Sequence, residues 1–371
     1  MPIKQQRPAG NFDRKAEAGF SIVEMIVAMV IFMVIVGTVY GLMQIGLIDR
    51  NRASRHADIL KNARASVHLI GRDSLNAGLG YNKNGARVPD NFLATHLGLP
   101  ADADTERDRL TSIVGGNNLF ANNLNPTPGA RTDIIAFAYR DTNFNDGNPI
   151  SLKDVAGAGG APATARLETL LANGAANVRQ YDLYIVETQN SQVAVMASGS
   201  PSANRIDIAP GDPLGLNQPF NGSGSNVSIL RKCNPPAIDT DCSTYINGTA
   251  KKIFWVVYKV KADGTFVRQI FGNNTGAPAS QQIQEMPIAY NVEDFQVRYI
   301  LEDGTAWDDP GAGPDQVPGT ADDTPANFNN VRQLVVSLKV QATEADEQMG
   351  KMQTVTLNAS FSTRNLEYDA G

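Results

Sequence analysis

The chain has 371 residues, 42% of them hydrophobic and 19% charged, with a formal net charge of -6. That allows a sizeable core in one large domain or two ordinary ones, and it argues against a nucleic-acid binder. The first nineteen residues run against the overall sign, with Lys4, Arg7, Arg14 and Lys15 facing Asp13 and Glu17.

A basic head before an apolar segment stays on the cytoplasmic side. The apolar segment is residues 20–48, with a single charged side chain, Glu24. As a helix it would reach roughly 43 Å at about 1.5 Å per residue, more than the ~30 Å hydrocarbon core needs. A cleaved secretory signal is shorter and closes on a small-residue site. Here Gly46-Leu47-Ile48 runs straight into Asp49-Arg50-Asn51-Arg52, and the small residue at a boundary is Gly19, on the near side. The sequence therefore predicts a chain inserted in the membrane by its N-terminus and mostly exported. Glu24 is the anomaly, since a carboxylate in hydrocarbon is costly unless it is paired or protonated.

The helical pattern continues through residues 49–80. Ile59/Leu60, Ala63, Val67, Ile70 and Ser74/Ala77 recur at the 3–4 spacing of an amphipathic helix. Arg50, Arg52, Arg55, Lys61, Arg64 and Arg72 lie mostly off that stripe, only Gly71 interrupts it, and "NAGLGYN" ends it.

Residues 81–371 change style. "TDIIAFAYR", "YDLYIVETQ", "SQVAVMAS", "IFWVVYKVK", "GTFVRQIFG", "VEDFQVRYILEDG", "VRQLVVSLKVQA" and "QTVTLNASFSTRN" are rich in β-branched and aromatic residues and bounded by turn residues. "KADG" at 261–264 signals a hairpin. No helix-length pattern recurs between strands, which excludes a doubly wound parallel sheet. The fold class is α+β: a long N-terminal helix packed on an antiparallel β-sheet domain with long loops. Those loops are expected at 82–131, 141–179, 198–226 and 302–330, with "DVAGAGGAPATA" a flexible insert.

Several stretches invite a chemical reading. Cys233 and Cys242 have eight residues between them, and in an exported domain such a pair predicts a disulfide worth roughly 2–3 kcal/mol. A metal site there would need more ligands, and His56, His68 and His96 are scattered. Residues 302–323 hold seven carboxylates. Asp308, Asp309, Asp315, Asp322 and Asp323, set among Gly and Pro turns, could gather oxygen ligands around Ca²⁺, against the plainer reading of a solvated acidic loop. "RDTNFNDGN" at 140–148 resembles a calcium loop with its glycine one place late. No cofactor is otherwise called for. No Gly-x-Ser-x-Gly, His-Glu-x-x-His or Walker loop occurs, and Glu293-Asp294 has no pocket to give it meaning. The sequence does not read as an enzyme.

Gly19-Phe20-Ser21-Ile22-Val23-Glu24, behind its basic leader, resembles the processing signature of type IV prepilins. The resemblance implies that a prepilin peptidase/methyltransferase removes residues 1–19 after Gly19 and N-methylates Phe20. It also implies that Glu24 pairs with the N-terminal amine of a neighbouring subunit in a filament whose core is residues 20–48. "IGRDSLNAGLGYN", "NVEDFQVRYILEDG" and "LNASFSTRNLEYDAG" are similar to the PilW-like minor pilins. That subclass implies a minor pilin that primes assembly of a type IV pilus or sits at its tip. Its partners would be other major and minor pilins and the inner-membrane assembly platform. Before assembly it would be a single-pass inner-membrane protein with a periplasmic domain; afterwards it would be on the cell surface. The only Cys pair is mid-domain, whereas many pilins close a disulfide near the C-terminus, so the family's receptor-contact loop is not carried over. The related J-type pseudopilins of type II secretion share the processing and the plan, and a pilus-tip adhesin is a third reading. Gly37, Gly41 and Gly46 lower helix propensity, which predicts a helix that loosens there in a filament.

Overall fold

The computed structural model describes residues 19–81, 84–101, 106–158, 161–188, 191–199, 202–230, 248–315, 323, 325–346 and 350–363. The chain divides into two compact units, Met1–Arg55 and His56–Gly371. Helix α1, Ile22–Asn76, begins in the first and ends in the second. In the first unit α1 buries no side chain, and its large apolar residues from Ile22 to Leu47 are exposed. In the second, the stripe expected from the spacing is the buried one: Ile59, Ala63, Val67 and Ile70.

The remaining elements described are strands, one short α-helix and several 3-10 turns. In chain order they are β1 (Ala86–Arg87), α2 (Phe92–Leu97), β2 (Arg109–Leu110), β3 (Ile113–Ala121), β4 (Arg131–Arg140), β5 (Ile150–Ala158) and β6 (Ala161–Thr169). Then follow β7 (Leu183–Glu187), β8 (Gln192–Met196), β9 (Arg205–Ile208), β10 (Gly248–Val260), β11 (Phe266–Phe271) and β12 (Ile283–Ala289). The last are β13 (Val292–Leu301), β14 (Ala306–Trp307), β15 (Val331–Ala345) and β16 (Met352–Ser362).

They make a twelve-stranded sheet and a four-stranded one, β14-β13-β15-β16. Every named pairing is antiparallel except β1 with β8, so the architecture is the α+β class read from the sequence. The 13-residue β10 organises the larger sheet. Its first residues pair with β5 and β7, and from Ile253 onward it pairs with β4 and β11. The hairpin at "KADG" joins β10 to β11, with Gly264 at φ 77, a left-handed position that glycine takes without strain.

β4 and β10 read as nearly continuous apolar runs because both of their faces are covered. Ile135, Phe137, Val256 and Tyr258 pack with the α1 stripe and with Phe295, Val297, Leu334 and Val336 of the smaller sheet. Ile134, Ala136, Trp255 and Val257, on the opposite face, pack with Phe92, Leu93 and Leu97 of α2. Burying a side chain such as Ile70 or Leu97 contributes roughly 1.5–3 kcal/mol. A third cluster, with Leu152, Val155, Leu167, Tyr184 and Val195, fills the β5–β9 part.

The stretches read as long loops carry structure. Residues 82–131 hold β1, α2, β2 and β3; 141–179 hold β5 and β6; 198–226 hold β9; 302–330 hold β14. The "flexible insert" pairs as a hairpin, from Asp154 opposite Glu168 to Ala158 opposite Ala161. Alanine and glycine fill most of it, so no β-branched alternation marks it, and Val155, Ala165 and Leu167 are among its buried residues.

An ion pair holds the end of α1 to the sheet. Asp73, wholly buried, takes Arg268 Nη2 at 2.8 Å and Nε at 2.9 Å, Tyr258 Oη at 2.7 Å and Tyr139 Oη at 3.2 Å. Arg72 adds a bond at 3.2 Å from the half-exposed side. Burial, and then the Asp73 charge, push both tyrosine hydroxyls up, so they stay protonated donors. Burial alone would lower the Arg268 pKa; Asp73 and Tyr258 outweigh it and raise it. Two turns away on the same helix Ser66 Oγ donates to Ile288 O of β12 at 3.2 Å. Gly71 is required by proximity, since a Cβ there would stand 2.4 Å from the Phe361 ring.

Candidate functional site

The sequence placed its main site at the start of α1, and the local geometry there is a helix cap. Ser21 precedes the first helical turn, and its Oγ accepts from Val23 N–H at 3.2 Å. Glu24 reaches back, its Oε2 accepting from Ser21 N–H at 3.0 Å. A serine followed three places later by a glutamate is a capping box, which satisfies donors that a helix start otherwise leaves bare. The negative charge also sits at the positive end of the helix dipole. Glu24 thus has a partner within its own chain. The S-I-V-E spacing is the sequence signal for this cap.

Around this cap nothing is covered. Phe20 is 85% exposed and Ile22 77%, and Gly19 has open space where a side chain would stand. The apolar face continues through Phe32, Met33 and Leu42, all exposed. Thr38 Oγ1 returns its proton to Ile35 O at 2.8 Å, so this polar group asks for no outside partner. Among the described residues α1 is the one helix long and apolar enough to cross a membrane.

An exposed apolar helix, a small residue and an aromatic at its threshold, and an acid in its first turn are the features on which a processing enzyme and a filament would act. Residues 14–40 match the prokaryotic N-terminal methylation motif. The chain matches no curated protein and no solved structure. The motif spans Lys15, Gly19, Phe20 and Glu24 and supports a type IV pilin or pseudopilin class. With the apolar helix it is consistent with inner-membrane anchoring before assembly, and with the fold it suggests a structural rather than an enzymatic protein. It also implies processing by a prepilin peptidase and assembly with pilins.

The other predicted sites fall elsewhere. Cys233, Cys242 and Asp322 lie outside the described residues. Asp308 is paired with Arg298 Nε at 3.1 Å. Asp309 is buried and accepts from Gly311 N–H at 3.0 Å. Burial, against backbone hydrogen bonds from Asn117, Gly311 and Ala312, pushes its carboxyl up to about 6. Asp315 is exposed and Asp323 half-buried. Among the described residues no group of three His, Cys, Asp or Glu side chains is placed to hold a metal ion. In "RDTNFNDGN" Asp141 Oδ1 accepts from Asn143 N–H at 3.0 Å, a turn bond. Glu293 pairs with Lys339, and Asp294 accepts from Gln296 at 2.9 Å. His96 packs against Phe92, Trp255 and Phe271, its Nε2 2.8 Å from Leu214 O, and burial lowers its pKa. These contacts are structural.

Proposed function

We propose that the chain is a PilW-like minor pilin, processed after Gly19, N-methylated at Phe20 and carried into a type IV pilus, where it primes assembly or occupies the tip. The observation behind this reading is the methylation motif at 14–40, set on an exposed apolar helix that leads into a large antiparallel domain. Before assembly residues 20–48 hold it in the inner membrane, N-terminus cytoplasmic and domain periplasmic. In the filament the same residues pack with other major and minor pilins, delivered through the assembly platform, and the domain faces outward.

Glu24 has the chemistry for that change of state. In the free subunit it accepts one backbone N–H. A methylated terminal amine can still be protonated, and a bond between two charged groups, Glu24 and a neighbour's amine, is stronger than one from an uncharged backbone N–H. In an apolar bundle an unpaired carboxylate is costly, so the register that pairs it is favoured.

Mass spectrometry of the protein isolated from cells tests the first step. The expected chain starts at Phe20 with one added methyl group, and any other N-terminus would end this reading. Glu24→Ala is expected to leave the amount in the membrane unchanged and to deplete the protein from sheared pili. The same motif equally serves a J-type pseudopilin of type II secretion. Deleting the gene separates the two: lost piliation or twitching supports the pilin, lost enzyme secretion the pseudopilin. A tip adhesin would also abolish surface attachment while leaving pili on the cell.

A further inference from the structure

Three arginines gather around the short β1–β2 pair of an otherwise acidic chain. Arg87 and Arg109 are register partners across the two strands, and like charges directly opposed destabilise an antiparallel pair. Arg107 stands two places before Arg109; burial first, and the Arg87 charge second, lower its pKa. Arg109 spends one nitrogen on Asn84 O at 3.1 Å. Among the described residues none of the three makes an ion pair, and Arg107 Nε is buried with no hydrogen-bond partner.

Arg107 lines a pocket of about 450 Å³ together with Asp90, Gln218 and a Gly-Ser-Gly-Ser loop at 222–225. Gln218 commits its Oε1 to Asn226 N–H at 2.7 Å, leaving its Nε2 without a partner among the described residues. Ser223 and Gly224 are exposed, and the Ser223 hydroxyl and both N–H groups make no hydrogen bond among the described residues. Gly224 holds φ 77 within a turn.

We propose that this pocket binds the oxyanion of a small polar ligand, a carboxylate or phosphate group held by Arg107, Gln218 and the Ser223–Gly224 turn. The guanidinium fork matches such a group with two parallel bonds, and the bound charge would offset the opposed Arg87 and Arg109. Asp90 narrows the ligand further. Its Oδ1 takes Asn91 Nδ2 at 3.0 Å, and the carboxylate repels a bare anion but accepts from a hydroxyl. Hydroxyls beside the anionic group are therefore favoured, as in an acidic sugar. This site stands whether or not the chain is a pilin.

Calorimetric titration of the full chain in detergent with galacturonate, inorganic phosphate and neutral galactose tests it. Saturable binding of galacturonate or phosphate, and none of galactose, is expected; the tighter of the two identifies an acidic sugar or free phosphate as the source. Arg107→Gln should weaken the bound anion about tenfold or more. Asp90→Asn should tighten inorganic phosphate, whose charge Asp90 repels, a gain that a misfolded variant would not give. The proposal is overturned if neither anion binds, if galactose binds as well as galacturonate, or if Arg107→Gln binds like the wild type. An Asp90→Asn protein with unchanged phosphate affinity would overturn the placement of the anion beside Asp90.

Discussion

Helix α1 carries two acids that sit among apolar neighbours, and it settles them in different ways. Near its start, Glu24 is exposed and accepts one bond from Ser21, three residues away. Near its end, Asp73 is wholly buried and takes Arg268, 195 residues away in sequence, with Tyr258, Tyr139 and Arg72. A carboxylate satisfied by its own helix start can exchange that bond without unfolding anything. One satisfied by distant strands cannot move unless the domain opens. The same helix thus has one acid held by its own first turn and one held by the domain.

Breaking the fixed end should give the largest effect. Arg268→Ala leaves Asp73 buried with hydroxyl donors and a half-exposed arginine, and removing one partner of a buried pair costs about 3–5 kcal/mol. Chemical denaturation of the full chain in detergent reads this directly. A loss no larger than the ~1 kcal/mol of a surface pair would mean that Arg72 compensates. Gly71→Ala is next, at about 1–3 kcal/mol destabilising, because the new methyl meets the Phe361 ring. At the other end Gly37→Ala and Gly41→Ala meet nothing within 4 Å. Each should gain up to about 1 kcal/mol of helix propensity, seen as a rise in helical circular dichroism.

A third acid, Asp133, sharpens the contrast because no cation partners it. It accepts from Asn118 and Val297 N–H, yet burial pushes it up to about 7, with Asp294 and Asp308 adding to the shift. A folded-state pKa above the unfolded value means its contribution is fully present below about pH 4 and is lost as pH rises through about 7. Melting curves should therefore show a fall in Tm from this group across that window, and Asp133→Asn should flatten it. The smallest effect belongs to the exchangeable end. Ser21→Ala removes a cap worth about 1 kcal/mol, and hydrogen exchange should show Val23 opening faster while Ile70 is unchanged.

Much of this was legible in the sequence because it is local. The Ile59–Ala63–Val67–Ile70 stripe, the "KADG" hairpin and the strand character of β4 and β10 follow from local pattern alone. The Gly19-Phe20…Glu24 order is also local, and the methylation motif covers it. What escaped depends on pairing across distance or on residues with weak preferences. Arg268 could not be matched to Asp73 before the strands were placed. The Ala/Gly-rich β5–β6 hairpin and the four-residue β9 carry too few β-branched side chains to stand out from loops. The capping box at Ser21 is local too, carried by the S-I-V-E spacing, and it stands beside the outward-looking reading of Glu24.

The placement of β10 has a consequence for how the chain is made. Hairpins such as β3–β4, β5–β6 and β7–β8 can close as soon as they are synthesised, for their partners are neighbours in sequence. Joining them waits for residues 248–260, because β10 is the strand that pairs with β4, β5 and β7. Until then a nascent chain carries strand edges with apolar faces uncovered, the state most open to aggregation and slowest to resolve. The fold therefore puts its keystone late, and a ribosome stalled before residue 248 would hold β2-β1-β8-β7, β5-β6-β9 and β3-β4 as separate pieces not yet joined into one sheet.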